Sequence, residues 1–478
     1  MKKIFISLFL AAVCMGCSDI LEEKPKSLAS ENFYNTAAEA KAAVNAIYGP
    51  MRVDNALSTN YPAQLEGLAD YGNSRGTQTP VSLYQGLDNT NINRVATIWD
   101  NFYQSIRNAN LVIANVPKGT SMTDAEKTAF VAEAKYMRSL IYFAMVRNWA
   151  GVPLRTEENM TAADIPRSSV DDVYKLIVAD ALVAEAGLPD NPSEIGRPTK
   201  WAAKTLLSEV YLYLEKWEDS RAKAKEVIDS QKYSLVAVST SEDFQKIYGP
   251  EVVNTSEEIF YFKYSRQQGF GLVSYAHRKI GQYNYYGPGG VYAQYTDSVS
   301  NSVIKNWDFK DLRKNHMFYN VDIGLGTTSL LYRKYRDPLA TGGAGNDYPW
   351  YRYADLLLFH AEADARANGK PTADGLESLN KIHRRAYGKP AESASTVDFK
   401  LADFTLQSFI DKVVQERGYE TMYEGKRWND LKRLGIAKQR ILEVKNIVVA
   451  EKHMLWPIPN SEILYNKAIT AKDQNPGY

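Results

Sequence analysis

The sequence predicts a mainly α-helical fold built from paired helices, with little β structure. Amphipathic helical patterns recur along its 478 residues, and no Pro-rich or Gly/Ser-rich linker divides them. Residues 198–230 have the pattern of a tetratricopeptide-like helical hairpin. Residues 266–350 are instead loop-like. We therefore expect a single body in which helix pairs alternate with irregular segments.

The first helices carry start and stop signals. Thr36–Glu39 is a capping-box pattern at the start of a helix that is expected to end at Gly49-Pro50. An apolar stripe predicts a second helix over 95–116, and the capping box Thr123–Glu126 precedes a third helix over 125–149. These signals predict three helices in the first third of the chain.

The hairpin at 198–230 predicts further helix pairs. A tetratricopeptide-like unit cannot bury its apolar face alone, so similar pairs should stack beside it. The sequence places candidate pairs within 95–149, 170–230 and 351–386. Between them, Glu257–Ser265 is rich in β-forming residues, and the long loop-like stretch after it is typical of a functional segment.

The N-terminus predicts export and lipid anchoring. Lys2 and Lys3 precede the apolar run 4–13, which has the layout of a secretory signal and is too short to span a bilayer. Gly16 is followed directly by Cys17 and a polar segment, which resembles a bacterial lipoprotein signal. We expect residues 1–16 to be a signal peptide and Cys17 to be lipidated, with ordinary cleavage near Gly16 as the alternative.

The remaining composition argues against several function classes. The formal net charge is +1, which gives no long-range field suited to nucleic acid. The two cysteines both lie in the first 17 residues, so the processed chain has no thiol for disulfide, metal or nucleophilic chemistry. The 32 tyrosines stand out, and we expect some of their rings to serve recognition in addition to packing.

Eight blocks occur in a characteristic order from Cys17 to Tyr478. They include "FYNTAAEAKAAVNAIYG", "EAKYMRSLIYFAMVRNWAGVPL", "GRPTKWAAKTLLSEVYLYLEKWEDSRAKAKEVI", "YRYADLLLFHAEADARA" and "ERGYETMYEGKRWNDLKRLG". Together they resemble the SusD/RagB family of Bacteroidetes outer-membrane lipoproteins. Departures are small, such as Trp456 before Pro457, and Lys467 where the family tends to have Pro.

The resemblance implies one domain over 17–478, in which four tetratricopeptide-like helix pairs support a loop-rich ligand-binding subdomain at about 55–92 and 257–350. It also implies a lipid-anchored protein on the outer face of the outer membrane. Such a protein captures a glycan and forms a lid over a SusC-like TonB-dependent transporter. A RagB-like peptide-binding lid is the alternative, and a purely structural lid is a weaker one.

Two tyrosine-containing loops are the predicted ligand site, because sugar rings stack on exposed aromatic faces and their hydroxyls need planar polar partners. Both loops match variable regions of the family. The predicted ligand-binding residues are Asp70, Tyr71, Asn73, Arg75, Tyr84, Tyr283, Tyr285, Tyr286 and Tyr292. The alternatives are packing of the rings against the helices and a solvated polar loop around Asp70–Arg75.

No catalytic or cofactor site is predicted. The five histidines are scattered, no phosphate-loop, HExxH or G-x-S-x-G motif occurs, and His360 is expected to be a satisfied helical histidine. Structural calcium is left open. The block "YEGKRWNDLKR" mixes charges of both signs and predicts ion pairs on a helix surface, whereas Trp99 is expected in the core and Trp307 is left undecided.

Overall fold

The computed structural model describes residues 33–267, 283–287, 294–341 and 343–478. Helix accounts for 53% and strand for 7%, which confirms the predicted mainly α-helical class. Within these ranges no helix combines the length and the apolar character needed to cross a membrane.

The helices and strands are numbered in chain order. The helices are α1 (Ala37–Met51), α2 (Asn60–Gly67), α3 (Thr79–Ser82), α4 (Asn89–Asn115), α5 (Asp124–Trp149), α6 (Val170–Gly187), α7 (Lys200–Tyr213), α8 (Trp217–Asp229), α9 (Gln245–Tyr248), α10 (Ser302–Lys305), α11 (Leu312–Met317), α12 (Tyr353–Ala367), α13 (Ala373–Ala386), α14 (Leu406–Glu420), α15 (Arg427–Arg433), α16 (Ala437–Lys445) and α17 (Asn460–Tyr465). The strands are β1 (Asn73–Ser74), β2 (Glu258–Phe262), β3 (Gln294–Asp297), β4 (Phe318–Asn320), β5 (Ser329–Tyr332) and β6 (Tyr348–Arg352).

Both predicted capping boxes form, at Thr36 and at Thr123. Helix α1 nevertheless continues through Pro50 to Met51. Pro50 has no amide hydrogen for the carbonyl four residues earlier, at Ala46. That oxygen accepts a hydrogen bond from Asn108 Nδ2 at 2.7 Å, so a neighbouring helix replaces the missing partner.

The long helices stack in series. Helix α4 packs on α5, α5 on α6, α6 on α7, α7 on α8, α8 on α12 and α12 on α13. Helices α7 and α8 lie close together where Ser208 and Ser220 meet. Ser220 Oγ donates to Ser208 O at 2.8 Å, and Ser208 Oγ donates to Ser220 O at 3.0 Å. Small hydroxyl side chains at this crossing let the two helices approach, which is what the tetratricopeptide-like pattern predicts.

Two small antiparallel sheets accompany the helices. Strands β2 and β6 form one, and the other has the order β1-β3-β5-β4. Three of these strands lie within the segment predicted to be loop-like, so that prediction was wrong in detail. Strands of three or four residues are too short for a period-2 pattern to be recognised. The four-stranded sheet joins the two predicted ligand loops, because Asn73 of β1 pairs with Tyr295 of β3.

The charged block at 423–433 has the predicted structural role, but its ion pairs are buried. Glu424 accepts from Lys334 Nζ at 2.6 Å and from Arg352 Nη2 at 2.7 Å. Arg427 Nη2 donates to Asp70 at 2.7 Å. The partners Lys334, Arg352 and Asp70 lie far from this block in sequence. The sequence therefore predicted ion pairs on a helix surface, whereas the block forms buried long-range pairs. These pairs fasten the sheet region to the helices.

Trp99 and Trp307 both lie in the core. Trp99 is 1% exposed, as predicted, and Trp307 is 2% exposed. The indole of Trp307 stacks on Tyr419 with ring centres 4.1 Å apart and planes 7° from parallel. Trp307 therefore packs α14 against the sheet region and offers no ring face to a ligand.

Candidate functional site

The four-stranded sheet has two different faces, because successive side chains of a strand point to opposite sides. On one side Phe318 contacts Trp307 and Tyr332 stacks on Tyr423, so this inner face packs on the body of the protein. The opposite side, here called the outer face, carries the alternate residues of the same strands. These are Asn73, Tyr295, Tyr319 and Leu331, with Arg333 directly after β5.

The register aligns these residues in a row. Asn73 pairs with Tyr295, and Tyr319 pairs with Leu331. The pairing of Thr296 with Leu330 places Tyr295 beside Leu331. Neighbouring strands are about 4.8 Å apart, so the backbones of Tyr295 and Tyr319 lie roughly 10 Å apart across β5. The outer face thus presents tyrosines on two non-adjacent strands.

Three tyrosine rings cluster at the β4 edge of the outer face. The rings of Tyr283 and Tyr285 are stacked with centres 5.9 Å apart. They lie 5.2 Å and 4.9 Å from the ring of Tyr319, which is 5% exposed. Tyr283 and Tyr285 themselves remain half-buried. We call Tyr283, Tyr285 and Tyr319 the tyrosine platform, since the lower ring supports two rings that reach solvent.

The segment 283–287 is fixed from beneath by the residue that follows Tyr285. Tyr286 is 2% exposed and packs with Ala340 and Ala344. The amide of Asp337 donates to Tyr285 O at 2.6 Å. Gly287 has a φ of +54°, and a Cβ there would lie 2.1 Å from Ala340 O, so a larger residue is excluded. Tyr286 is therefore a buried anchor, which corrects its prediction as a ligand contact.

Two arginines adjoin the platform. Arg333 Nη1 donates to Tyr285 Oη at 3.1 Å, and its guanidinium carbon lies 5.5 Å from the centre of the Tyr285 ring. The guanidinium of Arg336 lies at the same distance, 5.5 Å, from that ring. Glu242 contacts both arginines and its own side chain is 60% exposed. The platform therefore combines ring faces with cationic donors.

The side chains of the first predicted loop are more deeply buried than those of the platform. The Asp70 side chain is fully buried and accepts hydrogen bonds from Arg427 at 2.7 Å and from Arg440 at 3.0 Å. Burial alone would raise the pKa of Asp70, but the two guanidinium groups outweigh it and lower that pKa to about 2. Asp70 is thus a permanently charged internal partner, and the structure gives it no route to a ligand.

The tyrosines of the first loop are also internal. Tyr71 is 1% exposed and donates to Glu66, and Tyr84 is 6% exposed and donates to Leu68 O. Burial raises the pKa of both phenols well above the ordinary value. Burial also raises the pKa of Glu66 to about 7. The prediction that Tyr71 and Tyr84 present ring faces is corrected, because segments distant in sequence cover them.

The other predicted residues divide between the outer face and the undescribed part of the chain. Asn73 and Arg75 are partly exposed, and Asn73 lies beside the half-buried Tyr295. Burial raises the pKa of Tyr295, and the charge of Arg75 opposes that rise. Tyr292 and Cys17 lie outside the described residues. The structure therefore brings Asn73 and Arg75 to the β1 edge and the platform to the β4 edge of one sheet.

Sequence reasoning missed Tyr319, Arg333 and Arg336. The alternation of Phe318, Tyr319 and Asn320, and of Leu330 to Arg333, was the available signal. It predicts that Tyr319 and Arg333 share one face, but only if both runs are first recognised as paired strands.

A cavity of about 630 Å³ lies elsewhere, between α14 and α16. Its walls carry amide and charged side chains, namely Gln407, Asp411, Lys412, Gln415, Gln439, Arg440 and Glu443. The aromatic residues that line it, Tyr71 and Tyr419, are 1% and 7% exposed. The cavity thus lacks an open ring face, and the tyrosine platform remains the better candidate for sugar recognition.

The described residues contain no candidate metal centre. No group of three or more His, Cys, Asp or Glu side chains is placed there to hold a metal ion. His360 Nδ1 is hydrogen-bonded to Ser378 Oγ at 2.9 Å, whereas its buried Nε2 has no partner among the described residues, so the prediction of a satisfied helical histidine holds for one of its two nitrogens.

Comparison with known proteins identifies relatives along nearly the whole chain. A family model described as the SusD family matches residues 281–478, and one described as starch-binding associating with outer membrane matches residues 19–212. SusD-like protein P2 of Formosa agariphila is 26% identical and the alignment covers 100% of this chain and 99% of that protein. A SusD-like protein of Bacteroides ovatus is 26% identical over 70% of this chain and 64% of its own.

Solved structures share the fold. A SusD homolog from Bacteroides thetaiotaomicron superposes with a TM-score of 0.79 at 21% identity, covering 94% of this chain and 98% of that one. A laminarin-binding SusD-like protein superposes with a TM-score of 0.72 at 22% identity, covering 93% and 100%. At these identities the superpositions support the shared architecture alone.

Proposed function

Since the chain belongs to the SusD/RagB family, we propose that it binds an oligosaccharide on the outer face of its four-stranded sheet and delivers it to a SusC-like TonB-dependent transporter. SusD-like proteins bind carbohydrate and are not catalysts, and the family is associated with the outer membrane. In the proposal a lipid on Cys17 holds the protein at the cell exterior. The membrane is reached through that anchor only, and nucleic acid plays no part.

The tyrosine platform is the observation that carries the proposal. Sugar rings expose C–H groups on their flat faces, and aromatic rings bind such faces while polar groups bind the hydroxyl rim. Tyr283 and Tyr285 offer half-buried rings, and Arg333 and Asn73 supply donors on the same side of the sheet. Half-burial suits this role, because a supported ring loses little freedom when a sugar stacks on it.

The relatives support carbohydrate as the ligand class. One neighbour is a laminarin-binding SusD-like protein and another is a surface glycan-binding protein A from Bacteroides fluxus. The tyrosine platform is a surface of the kind that such a ligand would need. A peptide ligand is the competing outcome of the test below.

Binding is tested with the protein starting at Ser18, which removes the lipidated cysteine. It is applied to an array of plant, algal and host oligosaccharides and to a peptide library, alongside the double variant Tyr283→Ala/Tyr285→Ala. The proposal predicts glycan binding that the double variant reduces at least tenfold while its melting temperature is kept. Peptide binding alone, or glycan binding that the double variant leaves unchanged, would contradict it.

The transporter is tested separately in the source bacterium. Affinity isolation of the full-length protein from detergent-solubilised outer membranes is expected to recover a TonB-dependent barrel. A Cys17→Ser variant should lose the membrane association and that partner together. Recovery of the full-length protein without any barrel would contradict the delivery role.

A further inference from the structure

The charge around the tyrosine platform is unbalanced. Arg333 and Arg336 both lie beside the Tyr285 ring, and within the described part of the chain Glu242 is the carboxylate that pairs with them. Glu242 lies 3.7 Å from Arg333 and contacts Arg336 more closely. One exposed carboxylate therefore faces two guanidinium groups, which leaves about one positive charge in excess at the platform.

The nearby carboxylates are already neutralised by other cations. Asp337 is fully buried and bound to Arg266 at 2.8 Å, and Asp243 is bound to Lys246 at 2.7 Å. Lys334 is buried and its ammonium group is directed to Glu424, which it shares with Arg352, so it does not face the platform. Asp297 lies on the same sheet face, but its partner Ser329 is four steps along the chain from Arg333, roughly 13 Å at 3.3 Å per residue.

Two further observations agree with a positive site. Arg333 Nε is enclosed by protein, while Nη1 donates to Tyr285 Oη and Nη2 donates to Asn315 O, so the second hydrogens of Nη1 and Nη2 are the Arg333 donors that remain for a ligand. The neighbouring His316 is buried, and its pKa lies well below the ordinary value because of burial and then because of Arg336, Lys334 and Arg333. Burial is the larger cause of the lowered pKa of His316, and the three nearby cations lower it further.

We propose that the tyrosine platform selects acidic sugars, with an oxyanion of the ligand held by Arg333 and Arg336 while the sugar ring stacks on Tyr285. This inference rests on the proposed function and names its substrate class. A guanidinium binds a carboxylate or a sulfate through paired N–H donors, and both groups present the same oxygen chemistry. The oxyanion takes the place beside the guanidinium groups that Glu242 holds in the free protein.

The source of the oxyanion is distinguished by paired probes. One pair is an oligogalacturonate and its carboxyl-reduced, neutral counterpart. The other is a sulfated carrageenan oligosaccharide and its desulfated counterpart. Affinities are measured by calorimetry at low and at physiological salt, because attraction to an exposed ion weakens as salt rises. We expect at least one acidic probe to bind tenfold or more tightly than its neutral partner.

Variants show whether the arginines cause the preference. Arg333→Met is expected to abolish the preference for the acidic probe while weak binding of the neutral one persists. Arg333→Lys keeps the charge but not the paired donors and should retain an intermediate preference. Lys225→Met, which removes one exposed charge from α8, is the matched control and should behave like the wild type. Melting curves establish that each variant is folded.

The outcomes separate the two proposals. Neutral glycans that bind through Tyr285 as well as their acidic partners would overturn the acidic-sugar inference and leave the proposed function standing. A preference that survives in Arg333→Met and Arg336→Met would also overturn the inference. Failure of every glycan to bind would overturn both.

Discussion

Two tyrosine-containing regions of this protein have similar composition but differ in how far their side chains are buried. The first loop supplies Asp70, Tyr71 and Tyr84, and each of these polar groups has an internal partner. The second region supplies Tyr283 and Tyr285, whose rings pack on one another and on Tyr319 while staying half-buried. Tyrosine in a loop is thus no guide to recognition. The useful distinction is whether the rest of the protein already covers the ring, as it does for Tyr71 and Tyr84 but not for Tyr283 and Tyr285.

The largest expected effect comes from breaking the pairing of the first loop. Arg427→Met removes the main partner of Asp70 and leaves a buried carboxylate bound to Arg440 alone. Loss of one partner of a buried pair costs about 3–5 kcal/mol of unfolding free energy. Urea denaturation measures this loss.

The matched control for that variant is Lys225→Met. Lys225 pairs with Asp229 at 3.1 Å on the surface of α8, where an exposed pair contributes about 0–1 kcal/mol. Equal, small losses in both variants would show that the buried Asp70–Arg427 pair contributes no more to stability than an exposed pair.

The next effect is a pH dependence of stability caused by Glu66 of α2, which accepts a hydrogen bond from Tyr71 of the first loop. Glu66 has a pKa of about 7 in the folded protein and 4.5 as its ordinary value, so folding favours the protonated form. Its stabilising contribution is complete below about pH 4.5 and is lost as pH rises through 7. The loss is up to about 3 kcal/mol at 1.36 kcal/mol per unit of pKa. Urea unfolding of wild type and Glu66→Gln at pH 5 and pH 8 measures it.

Comparison of the two proteins isolates Glu66 from other titrating groups. The wild type should lose more stability than Glu66→Gln between pH 5 and pH 8. Asp70 contributes in the opposite sense and in another range, since its lowered pKa loses stability only as pH falls from about 3.8 towards 2. Parallel losses in wild type and Glu66→Gln would show that Glu66 is ionised in the folded state.

A substitution in the tyrosine platform should have a smaller effect. That effect should be on ligand affinity and not on stability. Tyr285→Ala should weaken oligosaccharide binding by about 1–1.5 kcal/mol, the contribution of one aromatic contact. Its unfolding free energy should change little, because the ring is half-buried. Tyr286→Ala should do the reverse and destabilise the fold, since Tyr286 is 2% exposed. Calorimetry and thermal melting of both variants check the contrast.

The smallest effect is expected at the far edge of the outer face. Asn73→Ala removes one amide beside Tyr295 and should weaken binding by about 0.5–1 kcal/mol, the net value of one hydrogen bond. The same titration measures it. A loss greater than that of Tyr285→Ala would move the centre of the ligand towards β1.

The helical scaffold was predictable from sequence because its signals are local. The capping boxes at Thr36 and Thr123 and the hairpin of α7 and α8 each lie within about 35 residues. The site was predictable only in part. Tyr283, Tyr285 and Asn73 lie on the outer face, whereas Asp70 is closed off by Arg427, which lies 357 residues away. No local pattern shows such a partner.

The other residues of the site, Tyr319 and Arg333, could not be predicted because their position depends on strand pairing. Tyr319 and Arg333 reach the platform because β4 and β5 pair in one register, in which a shift by one residue would exchange their faces. Strands of three and four residues give too little alternation to fix that register from sequence. The pairing of these two strands is therefore the information that the sequence reading lacked.

The most direct test is a crystal structure of the Ser18–Tyr478 protein with the best-binding oligosaccharide from the array. We expect sugar rings over Tyr283 and Tyr285, with their polar rim towards Arg333, and Asp70 still bound to Arg427. An oligosaccharide seated in the cavity between α14 and α16, with the platform empty, would contradict this account.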